Sequence, residues 1–248
     1  MKKVVLDPGH GVETAGKRSP DGTYLEHEFN LDMARRLKAQ LERHGVCVTL
    51  TRSDEHDVTL ARRVALSNSV QPELFVSLHS NASGAGWTDP SGYGIYTSAA
   101  GEAERNRAAK TILARVREAG VTLWGGGLHH NIELYVLRRT AAPAVLIEHG
   151  FHTNRAEVER LKTGSYRDLL ARADAKGILD HLGIAWVEEA AQSQGSVANE
   201  VPGKAEGFVG ERPSSEVNEL SPSGGSEGYG TCEAVCPHCG GTLKIGKG

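Results

Sequence analysis

A three-layer α/β domain, with about six mostly parallel strands flanked by helices, is the fold class this sequence predicts. Two observations carry that expectation. Short apolar runs rich in β-branched residues alternate with amphipathic helical stripes as far as about residue 185, the pattern of a sheet covered by helices on both faces. Three of the apolar runs also finish on a histidine or a glutamate: Val4–Leu6 leads to His10, Leu74–Leu78 to His79, and Ala144–Ile147 to Glu148. Open α/β sheets place their ligand sites at the carboxyl ends of strands. Several titratable groups gathered at one such edge are costly to bury unless a metal or a catalytic role compensates.

The elements follow in chain order. Lys2-Lys3-Val4-Val5-Leu6-Asp7-Pro8-Gly9-His10-Gly11 opens as a buried strand. Pro8 cannot donate to a ladder and Gly9 tolerates unusual backbone angles, so the strand stops there and His10 lies just past its end. Gly11–Thr23, rich in Gly, Ser, Pro and charge, reads as an active-site loop. Leu25, Phe29, Met33, Leu37 and Leu41 recur every four residues and predict a helix over Leu25–His44, with Gly45 at its C-terminal cap. Glu26 and Glu28 sit in its first turn, where carboxylates suit the positive end of the helix dipole. Val46–Leu50 is a strand, and Thr59–Ser69 an amphipathic helix. The Leu74–Leu78 strand then leads to a polar, Gly-rich loop over Asn81–Pro90. Gly92–Ser98 is a strand and Glu102–Ala119 a helix. Trp124–Asn131, with three consecutive glycines and two histidines, reads as a mobile loop. Glu133–Leu137 and Ala144–Ile147 are expected strands, and Asn154–Leu161 and Ser165–Leu182 helices.

Composition narrows the function classes. The chain has 248 residues and a formal charge of -3 with both signs interspersed, so nothing resembles a phosphate-tracking surface and nucleic acid is not an expected partner. No apolar run is long enough to span a bilayer. The amino terminus enters the first strand without an apolar leader, which predicts synthesis in the cytoplasm without a signal peptide and action on the cell wall after membrane breach or non-classical release. Of the 4 cysteines, only Cys47 falls in the main domain, inside an apolar strand where packing explains it. From about Gln192 the chain turns to Gly, Ser, Glu and Pro without period. The expected division is a catalytic domain over 1–187, a flexible linker over 188–229 and a Cys-rich tail over 230–248.

Zinc favours histidine nitrogens and a carboxylate oxygen, and catalytic sites keep a position open. His10, His79 and one of Glu26 or Glu28 would make such a set, leaving Glu148 as general base and acid in a metal-assisted hydrolase. His129, His130, His149 and His152 compete as ligands on residue type alone. Four blocks in order then carry a resemblance. Val5-Leu6-Asp7-Pro8-Gly9-His10-Gly11, Glu26-His27-Glu28-Phe29-Asn30-Leu31, Phe75-Val76-Ser77-Leu78-His79-Ser80-Asn81-Ala82 and Pro143-Ala144-Val145-Leu146-Ile147-Glu148-His149-Gly150-Phe151 resemble the signature blocks of the zinc-dependent N-acetylmuramoyl-L-alanine amidases of the type 3 family. Thr51-Arg52, Leu60 with Arg63, and Tyr135-Val136-Leu137-Arg138 match its pattern as well. The resemblance implies a six-stranded sheet, one zinc held by His10, Glu26 and His79, and Glu148 as the catalytic carboxylate. Glu26 is preferred to Glu28 because the family's ligand stands four residues before the Asn of Asn30-Leu31. It further implies peptidoglycan as partner and cleavage of the amide joining N-acetylmuramic acid to L-alanine, in a cell-lysis enzyme of the phage endolysin or autolysin type. Asn81 and the Arg138 region are its candidates for lining the groove. Two departures stand out: Val12 replaces the usual second glycine after the first His-Gly, and Leu123–Asn131 lacks the family's Arg-bearing stretch.

Cys232, Cys236 and Cys239, the last two in a Cys-Pro-X-Cys-Gly turn, suggest a second zinc site in the tail. Only three thiolates are available there. The alternatives are an incomplete ribbon, a site completed by another chain, or a thiol pair that oxidises. Two other functions compete with the amidase: a zinc peptidase cutting within stem peptides, and a non-catalytic wall-binding protein.

Overall fold

The computed structural model describes residues 1–101 and 103–188, together with the backbone of 233–235 and 242–244. Six strands form one sheet: β1 (Lys3–Pro8), β2 (Cys47–Leu50), β3 (Leu74–Asn81), β4 (Tyr93–Thr97), β5 (Leu123–His130) and β6 (Ala144–Phe151). Their order is β2-β1-β3-β6-β4-β5. β2, β1, β3 and β6 run parallel, β4 lies antiparallel to β6, and β5 is parallel to β4. The predicted α/β class and strand number are therefore those of the protein. β1, β3 and β6 are neighbours pointing the same way, so their carboxyl ends share one edge.

Helices cover both faces. Helix α1 (Glu26–Arg43) buries Phe29, Met33, Leu37 and Leu41 completely, the stripe read from the sequence. Helix α2 (Leu60–Val70) starts at Thr59, whose hydroxyl accepts from the Arg62 N–H. Helices α3 (Glu104–Glu118) and α6 (Gly164–Leu182) pack closely, with Gly177 so near the Ile112 backbone that a Cβ there would stand 2.3 Å from its Cα. Asn154 and Thr163 cap α5 (Arg155–Leu161) and α6 through their side chains. Val4, Leu6, Leu74, Val76, Leu78, Val145 and Ile147 fill the sheet's contribution to the core.

Two expectations need correction. Trp124–Asn131 is not a loop, because Leu123–His130 forms the edge strand β5. Gly125, Gly126 and Gly127 all have positive φ and absorb a register shift against β4, after which Leu128, His129 and His130 pair with Ile95, Tyr96 and Thr97. The glycines mark a bulge inside a strand. Glu133–Leu137 is not a strand: the one-turn helix α4 (Tyr135–Arg139) occupies most of it, burying the adjacent Val136 and Leu137 and packing against α2 and β6. A five-residue apolar stretch is too short for its period to separate the two outcomes. In the tail, Glu233–Val235 (β7) and Thr242–Lys244 (β8) pair with each other. Cys232, Cys236 and Cys239, and the 188–229 linker beyond Glu188, lie outside the described residues.

Candidate metal centre

The turn after β1 is built to present His10. The Gly9 N–H donates to the Leu78 carbonyl at 3.0 Å, which brings the turn against β3. A Cβ on Gly9 would fall 2.0 Å from the His79 ring, so only glycine fits. His10 itself adopts φ +60, a left-handed conformation unusual for a residue with a side chain. Such strain persists only where the surroundings hold it, and here two buried arginines do so. Arg52 donates to the carbonyls of Pro8, Gly9 and His27 at 3.0, 3.2 and 2.7 Å. Arg63 donates to those of Pro8 and His10 at 2.6 and 3.1 Å while pairing with Asp7 and Asp57, each at 2.7 Å. Burial, with the nearby charge of Arg63, depresses the Arg52 guanidinium to about 10. Asn30 adds a bond from its amide to the Gly9 carbonyl at 3.1 Å.

His10, Glu26 and His79 converge. Glu26 opens α1 and is 1% exposed. Its Oε1 lies 3.4 Å from His10 Nε2 and 3.0 Å from His79 Nδ1, and the two imidazoles meet edge to face with centroids 4.8 Å apart. Among the described residues this is the one group of three His, Cys, Asp or Glu side chains whose ligand atoms lie close enough to share an ion, within 4.8 Å of one another. Zinc bonds of about 2.0–2.1 Å in a tetrahedron put neighbouring donors about 3.3 Å apart, close to the two separations that Glu26 Oε1 makes with the imidazoles. The electrostatics agree. Burial acts to raise the Glu26 carboxyl, but the hydrogen-bonding imidazoles of His10 and His79 outweigh it and hold the group well below the usual carboxylate range. Burial pushes His79 down, favouring the neutral ring that a metal requires.

Glu148 stands opposite His79 in the β3–β6 ladder. Its Oε2 is buried with no hydrogen-bond partner. Burial first, and the negative charge of Glu26 second, push its carboxyl well above the ordinary value. A carboxyl with one buried, unpartnered oxygen beside a cluster of metal-ligand type is a candidate acid–base group.

The rival ligands are occupied elsewhere. Glu28 is exposed on α1, so the helix directs Glu26 alone inward. His149 spans from the His79 carbonyl at 3.0 Å to Asp174 at 2.9 Å in the core. His152 bonds the Ser80 hydroxyl and carbonyl, both at 3.0 Å, and lies 3.9 Å from Glu26 Oε2. His129 faces the Trp124 carbonyl, and His130 the Thr97 hydroxyl. Arg138 is exposed on α4, and the Asn81 side chain accepts from the Ala82 N–H at 2.8 Å. A cavity of about 350 Å³ adjoins His10 and His79, walled by Val58, Leu60, Leu134, Tyr135 and Val136. Sequence reasoning named Asp7, Ser77, Arg52 and Arg63 as parts of the family pattern but missed their role as the frame behind the ligands. The signal was present in Asp7 and Ser77, polar residues inside otherwise apolar strands.

A parallel-strand edge carrying a two-histidine, one-carboxylate cluster beside a buried carboxyl defines the class of α/β domains equipped for metal-assisted hydrolysis. Within that class the chain belongs to the N-acetylmuramoyl-L-alanine amidase family, whose sequence model matches residues 4–180. The chain is 29% identical over 178 residues to the N-acetylmuramoyl-L-alanine amidase LytC of Bacillus subtilis, covering 72% of this chain and 35% of LytC. Its fold is similar to the catalytic domain of the amidase CwlV from Bacillus (Paenibacillus) polymyxa, at a TM-score of 0.68 and 30% identity over 75% of this chain and all of that one. It is also similar to the amidase AmiC2 of Nostoc punctiforme, with a TM-score of 0.64 and 34% identity over 73% of this chain and 97% of the other.

Proposed function

We propose that this protein hydrolyses the amide between N-acetylmuramic acid and L-alanine in peptidoglycan, with one zinc ion held by His10, Glu26 and His79, and that it serves cell lysis. The observation that carries the reading is the convergence of those three side chains beside Glu148, in a chain of the amidase family. A zinc ion bound there would polarise the lactyl carbonyl and the attacking water. Glu148 takes a proton from that water as its oxygen bonds to the carbonyl carbon. It then passes the proton to the departing nitrogen as the C–N bond breaks, leaving a carboxylic acid on the sugar and a free amine on L-alanine. Its raised proton affinity suits the second half of the exchange, in which the carboxyl holds the proton until the nitrogen departs. Arg52, Arg63 and Asn30 keep the His10 turn fixed throughout.

The test is product analysis after digestion of purified cell walls. The expected products are a stem peptide with a new L-alanine amino terminus and an unsubstituted muramoyl lactyl group. New amino termini elsewhere in the stem peptide would replace this reading with a peptidase, and no release from walls by zinc-loaded protein would leave only wall binding. Turbidity loss of whole-cell suspensions, set against intact walls in buffer alone, tests the lytic role.

A further inference from the structure

Behind His79 lies a chain of polar contacts that the proposed hydrolysis does not use directly. His79 Nε2 sits 3.2 Å from the Ser77 hydroxyl. That hydroxyl also lies 2.7 Å from Asp7 Oδ2, and Asp7 Oδ1 receives Thr51 at 2.5 Å and Arg63 at 2.7 Å. Asp7 and Ser77 are almost wholly buried, at 1% and 0% exposure, on adjacent strands where they are direct register partners.

We propose that Ser77, backed by Asp7, is a positioning residue that keeps the proton of His79 on Nε2 and so turns the Nδ1 lone pair toward the metal. The inference rests on the zinc reading above. A serine hydroxyl has one hydrogen and a carboxylate has none. The Asp7 carboxylate, paired with Arg63, is the nearer and the charged acceptor, so the single hydroxyl proton goes to Asp7. The Ser77 oxygen then has only lone pairs left for the imidazole, and Nε2 must be the donor. The opposite tautomer would set two lone pairs against each other at either Nε2 or Asp7. With Nε2 protonated, Nδ1 presents its lone pair to Glu26 Oε1 at 3.0 Å, an arrangement of two acceptors that calls for a cation between them. Outer partners of this kind orient ligating histidines generally, and removing one typically weakens metal binding 10–100-fold. Asp7 and Ser77 thus earn their place inside strands that are otherwise apolar.

Two measurements on the full chain test the proposal. In the first, zinc affinity is measured by competition with a chromophoric chelator for the unmodified protein, for Ser77→Ala and for His10→Ala. The binding lost in His10→Ala isolates this site from any contribution of the tail cysteines. Ser77→Ala should bind about 10–100-fold more weakly at that site. Equal binding by the unmodified protein and His10→Ala would overturn the zinc reading itself. A site present in the unmodified protein but undiminished in Ser77→Ala would overturn only the positioning role. In the second, imidazole nitrogen NMR of the zinc-loaded, unmodified protein should find a slowly exchanging proton on His79 Nε2 and the metal on Nδ1. Metal on Nε2 would refute the inference whatever the variant does.

Discussion

Within the candidate metal centre, two carboxylates on different elements are pushed in opposite directions by their surroundings. The imidazoles of His10 and His79 lower Glu26, while burial and the charge of Glu26 raise Glu148, whose Oε2 is unmatched. Glu148→Gln preserves shape but cannot accept a proton. Turnover of muropeptide should fall by about 10²–10⁴-fold with zinc content unchanged by elemental analysis. Glu26→Ala should lose zinc from the site, whereas Glu28→Ala, exposed and one residue beyond His27, should keep it and lose at most ~0.3–1 kcal/mol of helix stability. Zinc content of the two variants, with urea unfolding of the second, decides between them. Residue type left Glu26 and Glu28 both open, the family resemblance preferred Glu26, and α1 buries Glu26 while leaving Glu28 exposed. The frame behind the histidines was less legible. Arg52 and Arg63 match the family pattern without a role that the sequence alone assigns, and only the folded turn makes them donors for successive carbonyls.

The long, periodic signal of α1, a five-membered stripe from Leu25 to Leu41, was readable nearly to the residue. The apolar runs before His79 and Glu148 locate β3 and β6, but the strands continue through those residues to Asn81 and Phe151, because ladder pairing does not stop where the apolar run does. Where the signal was short or glycine-rich it failed. Gly125–Gly127 have the composition of a loop, and the β4 edge available for pairing, invisible in the local sequence, makes them a bulged strand. Tyr135–Arg139 is helical because it buries Val136 and Leu137 together against α2 and β6, a tertiary preference over a local one. Gly177 shows how tightly two elements can commit to each other. A methyl group there meets the Ile112 backbone rather than a flexible side-chain tip. Gly177→Ala should therefore cost about 1–3 kcal/mol despite alanine's better helix propensity, measured as a lower urea midpoint.

Across the molecule, Asp32 ties α1 to α6 through Arg167 at 2.8 Å and to its own helix through Arg36 at 2.9 Å. Burial works to raise its carboxyl, but these arginines prevail and lower it below 3.8. A depressed carboxylate contributes stability above its unfolded value and loses it as pH falls through the folded one. Asp32→Asn should then destabilise by ~1 kcal/mol near neutral pH. The gap to the parent should close progressively below about pH 4, as followed by thermal unfolding across that range. The last residues of the 1–187 body are pinned as well: Val187 exchanges bonds with Arg43 and His44, and Trp186 stacks on His44. We propose that the catalytic domain ends there, so a chain stopped after Glu188 should melt cooperatively and still hydrolyse soluble muropeptide. Loss of either property would extend the domain into the tail. The sheet order has a further bearing, on how the chain emerges during synthesis. β3 is flanked by β1 and β6, and its Phe75 pairs with Ala144, about 70 residues later, an interval of ~3–14 s at ordinary elongation rates. Throughout that interval one edge of Leu-Phe-Val-Ser-Leu has no partner, with His79 already made and Glu148 still to come. The nascent chain therefore carries an unpaired apolar edge and an incomplete site together, and β6 closes the one as it completes the other.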